Sequence, residues 1–253
     1  MGYDYNSSDL GIAWTHAKSI SMHNDFDLVA GVDITRENRE KFTKKFKKPA
    51  FKSYASAIKE LKPDIVVIAT STNTHLSIIK GIILSYSPKI IILEKPLAYK
   101  VKEANQIYAL SQDHNIEIAI NFFREYEPVY KKLAQEIKNG LLGFPLKANV
   151  RYSNGFINNA SHWVQYFSNF FGNFINLVIS ESNSLGANDQ SINTEILYKN
   201  GSVNFISQEE LGKYIFELDL TGPSGKISIN SAGTKIKYYN IMDTSLVPDS
   251  SMN

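Results

Sequence analysis

Apolar positions at Ile12, Ala13, Trp14, Ala17, Ile20 and Met22 recur at helical spacing, and a β-branched run over residues 26–32 ends in Asp33. Residues 36–46 read as a charged, exposed helix and residues 53–61 as a shorter one. A continuous apolar strand then covers residues 64–70, a helix 74–86, a strand 90–93 that runs into Glu94-Lys95-Pro96, a helix 101–112, and a strand 116–120 ending at Asn121. Strands that are apolar at every position need cover on both faces, which antiparallel hairpins rarely provide. Their alternation with helices predicts a parallel, doubly wound α/β sheet.

The pattern changes near Arg124. A helix over residues 128–138, a strand over 146–152 and a helix over 161–171 are followed by strands at 175–180, 191–198, 202–207, 214–220 and 226–229. Lys199-Asn200-Gly201 and Gly222-Pro223-Ser224-Gly225 supply turn chemistry between them. Strand following strand with partial alternation predicts an α+β domain built on a mostly antiparallel, open sheet. The expected organisation is therefore residues 1–122 as one domain and 123–253 as another.

Composition narrows the class. The chain of 253 residues is 43% hydrophobic, enough for real cores, and its net charge of +2 marks no nucleic-acid-binding face. It has no cysteine, which removes disulfides, zinc–thiolate sites, iron–sulfur clusters and cysteine nucleophiles together. No apolar stretch approaches the roughly 18 residues of a membrane span. The polar, acidic N-terminus is unlike a secretory signal, so a cytoplasmic location without membrane partners is expected.

In a doubly wound sheet, ligands sit beyond the carboxyl ends of the strands. Asp33 closes the second expected strand, where a carboxylate can accept from a ribose diol or cap the next helix. Arg36 beside it could meet a 2′-phosphate. Ala69-Thr70-Ser71-Thr72-Asn73-Thr74-His75 joins a strand to a helix start, offering hydroxyls and backbone N–H groups either to a dinucleotide or simply to the helix cap. Lys95, at a strand end, is either an ordinary salt-bridged lysine or an ammonium poised to stabilise charge developing on a substrate oxygen. His162, at the head of an apolar helix beside Trp163, is either a packed core residue or an acid/base group flanked by Asn158 and Gln165.

Taken in order, Val32-Asp33, Ala69-Thr70-x-Thr72-x-x-His75, Glu94-Lys95-Pro96, Asn121-x-x-Arg124 and the segment from Asn158 to Gln165 resemble the glucose–fructose oxidoreductase / inositol dehydrogenase (Gfo/Idh/MocA) family. The resemblance implies an N-terminal NAD(P)-binding Rossmann domain, a C-terminal domain with a large open sheet, and hydride transfer between a nicotinamide cofactor, NAD or NADP, and a sugar, nucleotide sugar or cyclitol. It makes Lys95 and His162 the catalytic pair and puts Asp33, Arg36, Thr70, Ser71, Asn73, His75, Glu94, Pro96 and Asn121 around the cofactor. Arg124, Asn158 and Gln165 fall near the substrate. In the family's Asp-x-Gly-x-His-x-x-Asp pattern this chain carries Asn158, Ala160, His162 and Gln165, so two carboxylates expected beside His162 are amides.

A first strand with Gly-x-Gly-x-x-Gly is not visible before Gly31, and the expectation is that it is missing, with the C-terminus also trimmed. Losing a central strand would cost several kcal/mol at roughly 25 cal/mol per Å², against a net domain stability of about 5–15 kcal/mol. The alternative to an oxidoreductase is then a non-catalytic relative that binds or oligomerises. Tyr214-Ile215-Phe216 is read as part of an apolar open face that packs against a second copy, making a homo-oligomer.

Overall fold

Thr15 opens the first helix, α1 (His16–Met22), its hydroxyl accepting from the Lys18 N–H at 3.4 Å and so satisfying one donor that a helix start leaves over. The structure, a computed structural model, describes residues 13–186 and 188–241. Two units divide the chain, Met1–Asn121 and Phe122–Asn253.

In the first unit, β1 (Gly31–Val32) and β2 (Ala50–Phe51) pair in parallel across α2 (Arg36–Phe46). Of the strand expected over residues 26–32, only these last two join a ladder. Residues 26–30 meet no partner strand among the described residues, and Phe26 and Val29 stand exposed. Strand β2 was not expected from the pattern. Next come α3 (Tyr54–Leu61), β3 (Ile65–Ile68), α4 (His75–Ser85), β4 (Ile90–Leu93), α5 (Val101–Asp113) and β5 (Glu117–Ile120). The last three strands form a parallel sheet in the order β3-β4-β5, with Ile65 opposite Ile90 and Ile90 opposite Glu117.

Among the described residues this sheet shares no ladder with β1-β2, so the parallel sheet expected as one is present in two pieces. The expectation of a missing first strand and glycine loop concerns the chain up to Ile12 and lies outside the described residues. One face of β4 is fully covered, Ile91 and Leu93 packing with Ile79 and Ile82 of α4 and Ile107 of α5. On the other face Ile90 and Ile92 are only half-buried, so described residues cover that side incompletely.

The second unit opens with α6 (Phe123–Tyr126) and α7 (Pro128–Lys138), the latter with proline in its first turn, where a missing N–H costs nothing. Strand β6 (Leu146–Tyr152) precedes a π-helical turn (Phe156–Ala160) and α8 (Ser161–Phe167). The helix expected to reach residue 171 ends at Phe167, and the chain turns through Gly172 at φ +75°. Six strands follow: β7 (Phe174–Ser184), β8 (Gln190–Tyr198), β9 (Gly201–Ser207), β10 (Phe216–Gly222), β11 (Gly225–Asn230) and β12 (Lys235–Asn240). They join β6 in the order β12-β11-β10-β6-β9-β8-β7, antiparallel throughout except for the parallel pair β6–β9.

Strict alternation on β6 sends Leu146, Ala148, Val150 and Tyr152 into the core under Tyr130, Ile137, Trp163 and Phe167 of α7 and α8. The opposite face is polar. Arg151 donates to Glu217 at 2.9 Å and to Asp219 at 3.3 Å, and Lys226 reaches Asp219 at 3.1 Å. This corrects the expected apolar open face: strand β10 begins only at Phe216, whose ring is wholly buried and stacks on Trp163 at 4.2 Å. A run of exposed apolar side chains lies on edge strand β7, where Ile175, Leu177, Val178 and Ile179 all stand in solvent.

Candidate functional site

Four strand ends of the first unit carry polar side chains. Beyond β3, Thr70 and Thr74 share a hydroxyl contact at 2.8 Å, and Thr74 Oγ1 donates to the Ser71 carbonyl at 2.7 Å. That hydrogen-bonded turn leaves Thr70, Ser71 and Asn73 exposed at the mouth of the sheet. His75 lies beneath them, 1% exposed. Its Nε2 is 3.1 Å from the Thr70 carbonyl and its Nδ1 3.2 Å from that of Leu97, so it clamps the loop after β3 to the loop after β4.

At the end of β4 the ladder carries one residue further, Glu94 N–H donating to the Ile68 carbonyl and Asn121 N–H to that of Leu93. The Glu94 carboxylate then takes two donors on one oxygen: His16 Nε2 at 2.7 Å and Asn121 Nδ2 at 2.8 Å. Burial alone would raise this carboxyl. Hydrogen bonds from His16 and Asn121, the His16 charge and the Lys95 backbone N–H outweigh burial and hold it below the usual carboxylate range. Lys95, half-buried, follows directly and is joined to Pro96 by a cis peptide. Sequence pattern gave no hint of His16, because its partner lies 78 positions away.

At the end of β1, Asp33 accepts from the Thr35 N–H at 2.7 Å and from Asn38 Nδ2 at 3.0 Å, a local turn bond and a side-chain bond that leave the backbone N–H groups of α2 uncapped by it. Each carboxylate oxygen retains a second acceptor site. Arg36 is exposed and bonded to Glu40 at 2.7 Å, while Arg39 donates to the Asp33 and Ile34 carbonyls.

In the second unit, His162 is 5% exposed, with the rings of Phe122 and Phe123 each 5.5 Å away and Phe216 at 6.2 Å, all edge-on. Arg124 lies flat over Phe216, its guanidinium carbon 3.9 Å from the ring centre, and donates to the Tyr214 hydroxyl at 3.3 Å. Tyr214 in turn donates to Asn159, whose amide holds the Ser153 carbonyl.

Of the two amides at the family's carboxylate positions, the Gln165 side chain meets a carboxylate, while at Asn158 a carboxylate meets the backbone. Gln165 donates to Glu125 at 3.1 Å, and the Ile157 and Asn158 N–H groups both donate to Asp189 at 2.9 Å. These carboxylates arrive from α6 and from the loop before β8. Asp189 can reach the turn because Gly155, at φ +87°, has no side chain; a Cβ there would meet the carboxylate. The Asn158 amide itself is exposed and bonded to the Asn154 carbonyl.

Parallel strands whose carboxyl ends carry Asp33, the Thr70 loop, Glu94-Lys95 and Asn121 define a nucleotide-binding α/β domain. Residues 11–122 match the profile of the Gfo/Idh/MocA oxidoreductase family, NAD-binding Rossmann fold. It is 27% identical over 135 residues to myo-inositol 2-dehydrogenase of Thermotoga maritima, covering 53% of this chain and 40% of that one. It is 32% identical over 80 residues to the rhizopine catabolism protein MocA of Rhizobium meliloti, covering 32% and 25%. These matches thus span less than half the length of either relative.

The fold extends further than the sequence likeness. The WlbA dehydrogenase of Bordetella pertussis, solved with NADH and UDP-GlcNAcA, superposes with a TM-score of 0.74 at 15% identity, over 90% of this chain and 78% of that one. A K102A mutant of KijD10, a 3-ketoreductase of Actinomadura kijaniata solved with TDP-benzene and NADP, gives 0.72 at 12% identity over 90% and 76%. Among the described residues no helix is long and apolar enough to cross a membrane.

Proposed function

We propose that the protein is an NAD(P)-dependent oxidoreductase moving a hydride between nicotinamide and the carbinol or carbonyl carbon of a sugar, nucleotide sugar or cyclitol. The observation that carries this reading is the Glu94-Lys95-Pro96 turn at the end of the middle strand β4, flanked by the exposed Thr70 loop after β3 and by Asn121 after β5. The donor set fits a dinucleotide. Thr70, Ser71 and Asn73 offer hydroxyl and amide groups, and Asp33 keeps acceptor capacity for ribose hydroxyls. With Arg36 beside Asp33, either NAD or NADP is accommodated.

The bound cofactor supplies a carbon that takes or gives hydride. Lys95 would donate a hydrogen bond to the substrate oxygen, lowering the cost of negative charge as the C–H bond breaks. His162 would take the hydroxyl proton in oxidation and return it in reduction, with Arg124, Asn158 and Gln165 lining the substrate. The relatives named as inositol 2-dehydrogenases, and the sugar nucleotide bound to WlbA, support a polyol or nucleotide-sugar substrate. They do not favour a non-catalytic role. A homo-oligomer in the cytoplasm completes the proposal. The apolar exposed strand β7 supports association.

The test is a titration of the full chain with NADH and NADPH by nicotinamide fluorescence, followed by turnover on cyclitols and nucleotide sugars. Lys95→Ala and His162→Ala should each lower turnover by about 10²–10⁴ while cofactor binding persists. Wild-type turnover in both variants would remove the assignment.

A further inference from the structure

We propose that Asp189 and Glu209 are positioning residues that hold the turn carrying Asn158 and fix the start of α8, where His162 stands. This deepens the oxidoreductase reading and, for the roles of Asn158 and His162, rests on it.

A chain that leaves a strand and turns at once into a helix presents backbone N–H groups with no helical partner behind them. Here the reversal after β6 is made by Asn154 and Gly155, both left-handed, at φ +63° and +87°. The N–H groups of Gly155, Ile157 and Asn158 then each meet a carboxylate. Gly155 donates to Glu209 Oε1 at 2.8 Å. Ile157 donates to Asp189 Oδ1 and Asn158 to Asp189 Oδ2, both at 2.9 Å. Asp189 thus grips two successive residues, one with each oxygen.

Both carboxylates come from outside the segment. Asp189 stands in the loop before β8, and Glu209 opens a 3-10 turn (Glu209–Leu211) after β9. The Asp189 loop is itself preset: the Gln190 N–H donates to Asp189 Oδ1 at 2.8 Å, and the Leu185 N–H to the Asp189 carbonyl at 3.0 Å. Asp189 and Glu209 are half-buried, and a backbone N–H bonds a carboxylate more strongly than a neutral acceptor. From Ile157 the hold passes to α8. Its carbonyl accepts from Ser161 Oγ at 2.6 Å, and Ser161 directly precedes His162.

Further along α8, Trp163, Tyr166 and Phe167 are locked in the aromatic core, so the body of the helix does not depend on these carboxylates. What they fix is the stretch ahead of it, with the exposed Asn158 amide, and the backbone from which the His162 side chain leaves. Without Asp189 the Ile157 and Asn158 N–H groups pass to water, and the turn can swing about Gly155, whose backbone is the least restricted in the segment. Asn158 and the first residues of α8 then shift while the core stays packed. Misplacements of about 1 Å reach a hundredfold in rate.

The experiment compares Asp189→Ala, Asp189→Asn and Glu209→Ala in the full chain. Hydrogen exchange needs no turnover. In Asp189→Ala the Ile157 and Asn158 amides should accelerate by more than the Phe167 amide in the core of α8, which reads general stability. Asp189→Asn, which keeps one acceptor oxygen, should restore part of this protection. Glu209→Ala should show the same signature at the Gly155 amide. Per folded molecule, Asp189→Ala should lower kcat roughly tenfold to a hundredfold and raise the substrate KM, with the NADH dissociation constant unchanged. Asp189→Asn should fall between it and the wild type, and Glu209→Ala should lose less than Asp189→Ala.

Unchanged exchange at Ile157 and Asn158 in Asp189→Ala would overturn the proposal, as would equal acceleration there and at Phe167. A fall in kcat that follows the folded fraction, with KM unmoved, would also overturn it by reducing Asp189 to a structural contact. So would lost protection of the turn with kcat and KM both unchanged. Should the wild-type chain turn over no polyol or nucleotide sugar, the oxidoreductase reading fails, while the exchange comparison still decides whether the two carboxylates hold this turn.

Discussion

The two units hold their chemistry-bearing residues by opposite means. In the first, Glu94, His16 and Asn121 are half-buried polar groups locked by short, charge-assisted hydrogen bonds at strand ends. In the second, His162 and Arg124 are set by aromatic rings: edges of Phe122, Phe123 and Phe216 around the imidazole, and the Phe216 face under the guanidinium. The cores differ in the same sense. Among the described residues the buried cluster under β3-β4-β5 is all isoleucine and leucine, whereas that under the seven-stranded sheet is dominated by Tyr130, Tyr152, Trp163, Tyr166, Phe167, Phe205 and Phe216. Large rings bury more surface per side chain and interlock by edge and face contacts. The second unit therefore surrounds these groups with packed rings, beside the Arg124–Tyr214 hydrogen bond, while the first relies on short directional bonds.

Phe216→Ala breaks this comparison hardest. The ring is fully buried, stacks on Trp163 at 13° between planes, and underlies both His162 and Arg124. Its loss should cost about 3–5 kcal/mol. In denaturant titrations with hydrogen exchange, protection should fall across β6, β9 and β10 while β3, β4 and β5 keep theirs. Equal loss in both units would mean that the cores are not separate.

Asp189→Ala comes next. One carboxylate satisfies the Ile157 and Asn158 N–H groups at the head of the turn carrying Asn158 and Asn159. Hydrogen bonds to a charged acceptor contribute about 1.5–3 kcal/mol, so a loss of that size is expected in chemical unfolding. Gly155→Ala, which pushes a Cβ into the same carboxylate, should reproduce the effect. This variant sharpens the comparison, since it asks whether the packed unit also depends on one directional contact.

Much of this architecture was legible in the sequence where a single local signal decided the element. Helix α2 begins at Arg36 and ends at Phe46 as its charge pattern indicated, α7 starts at its proline, and β6 follows strict alternation. Legibility failed where a distant partner decides. Residues 26–30 have strand composition, yet a strand is a pairing property and no described strand lies beside them. Within Tyr214-Ile215-Phe216, Phe216 read as exposed because alternation does not say which face a helix will cover, whereas Tyr214 is exposed.

The site divides in the same way. Glu94 and Asn121 were recognisable as strand-end residues, and Lys95 with them. The His16 contact, the Glu125 and Asp189 carboxylates and the Tyr214–Asn159 bond join segments that no local pattern links. His75 was placed around the cofactor by the family resemblance alone. Its burial and its two carbonyl neighbours show that it also holds that loop.

Tyr130→Phe is a smaller perturbation of the aromatic unit. The hydroxyl donates to the Gly233 carbonyl at 2.7 Å, and burial pushes its pKa up to about 12. Removing it leaves that carbonyl short of a donor at a cost of about 1 kcal/mol, read as a lower melting temperature. Absorbance titration of the folded wild type should show a phenol, absent from the variant, that ionises well above the ordinary tyrosine range.

The smallest effect compares the lowered carboxylates of the two units under acid. Burial alone would raise Asp219, but the Ser228 hydroxyl, Lys226 and Arg151 outweigh it and hold its carboxyl below the usual range. Glu94 is likewise lowered against its burial, chiefly by His16 and Asn121. For both, the folded pKa lies under the unfolded one. Their contribution to stability is complete above the unfolded value, about 3.9 for Asp and 4.3 for Glu, and is lost as pH falls through the folded value. Stability should therefore be flat in this respect near neutrality and decline below about pH 4, by less than about 1 kcal/mol for partly exposed groups. Asp219→Asn should flatten the acid limb read at β10 and β11, and Glu94→Gln that read at β4 and β5, by exchange measured down the pH scale. Should Glu94→Gln leave the first unit's acid limb unchanged, directional charge would not be what holds that strand end, and the contrast between the units would reduce to core composition.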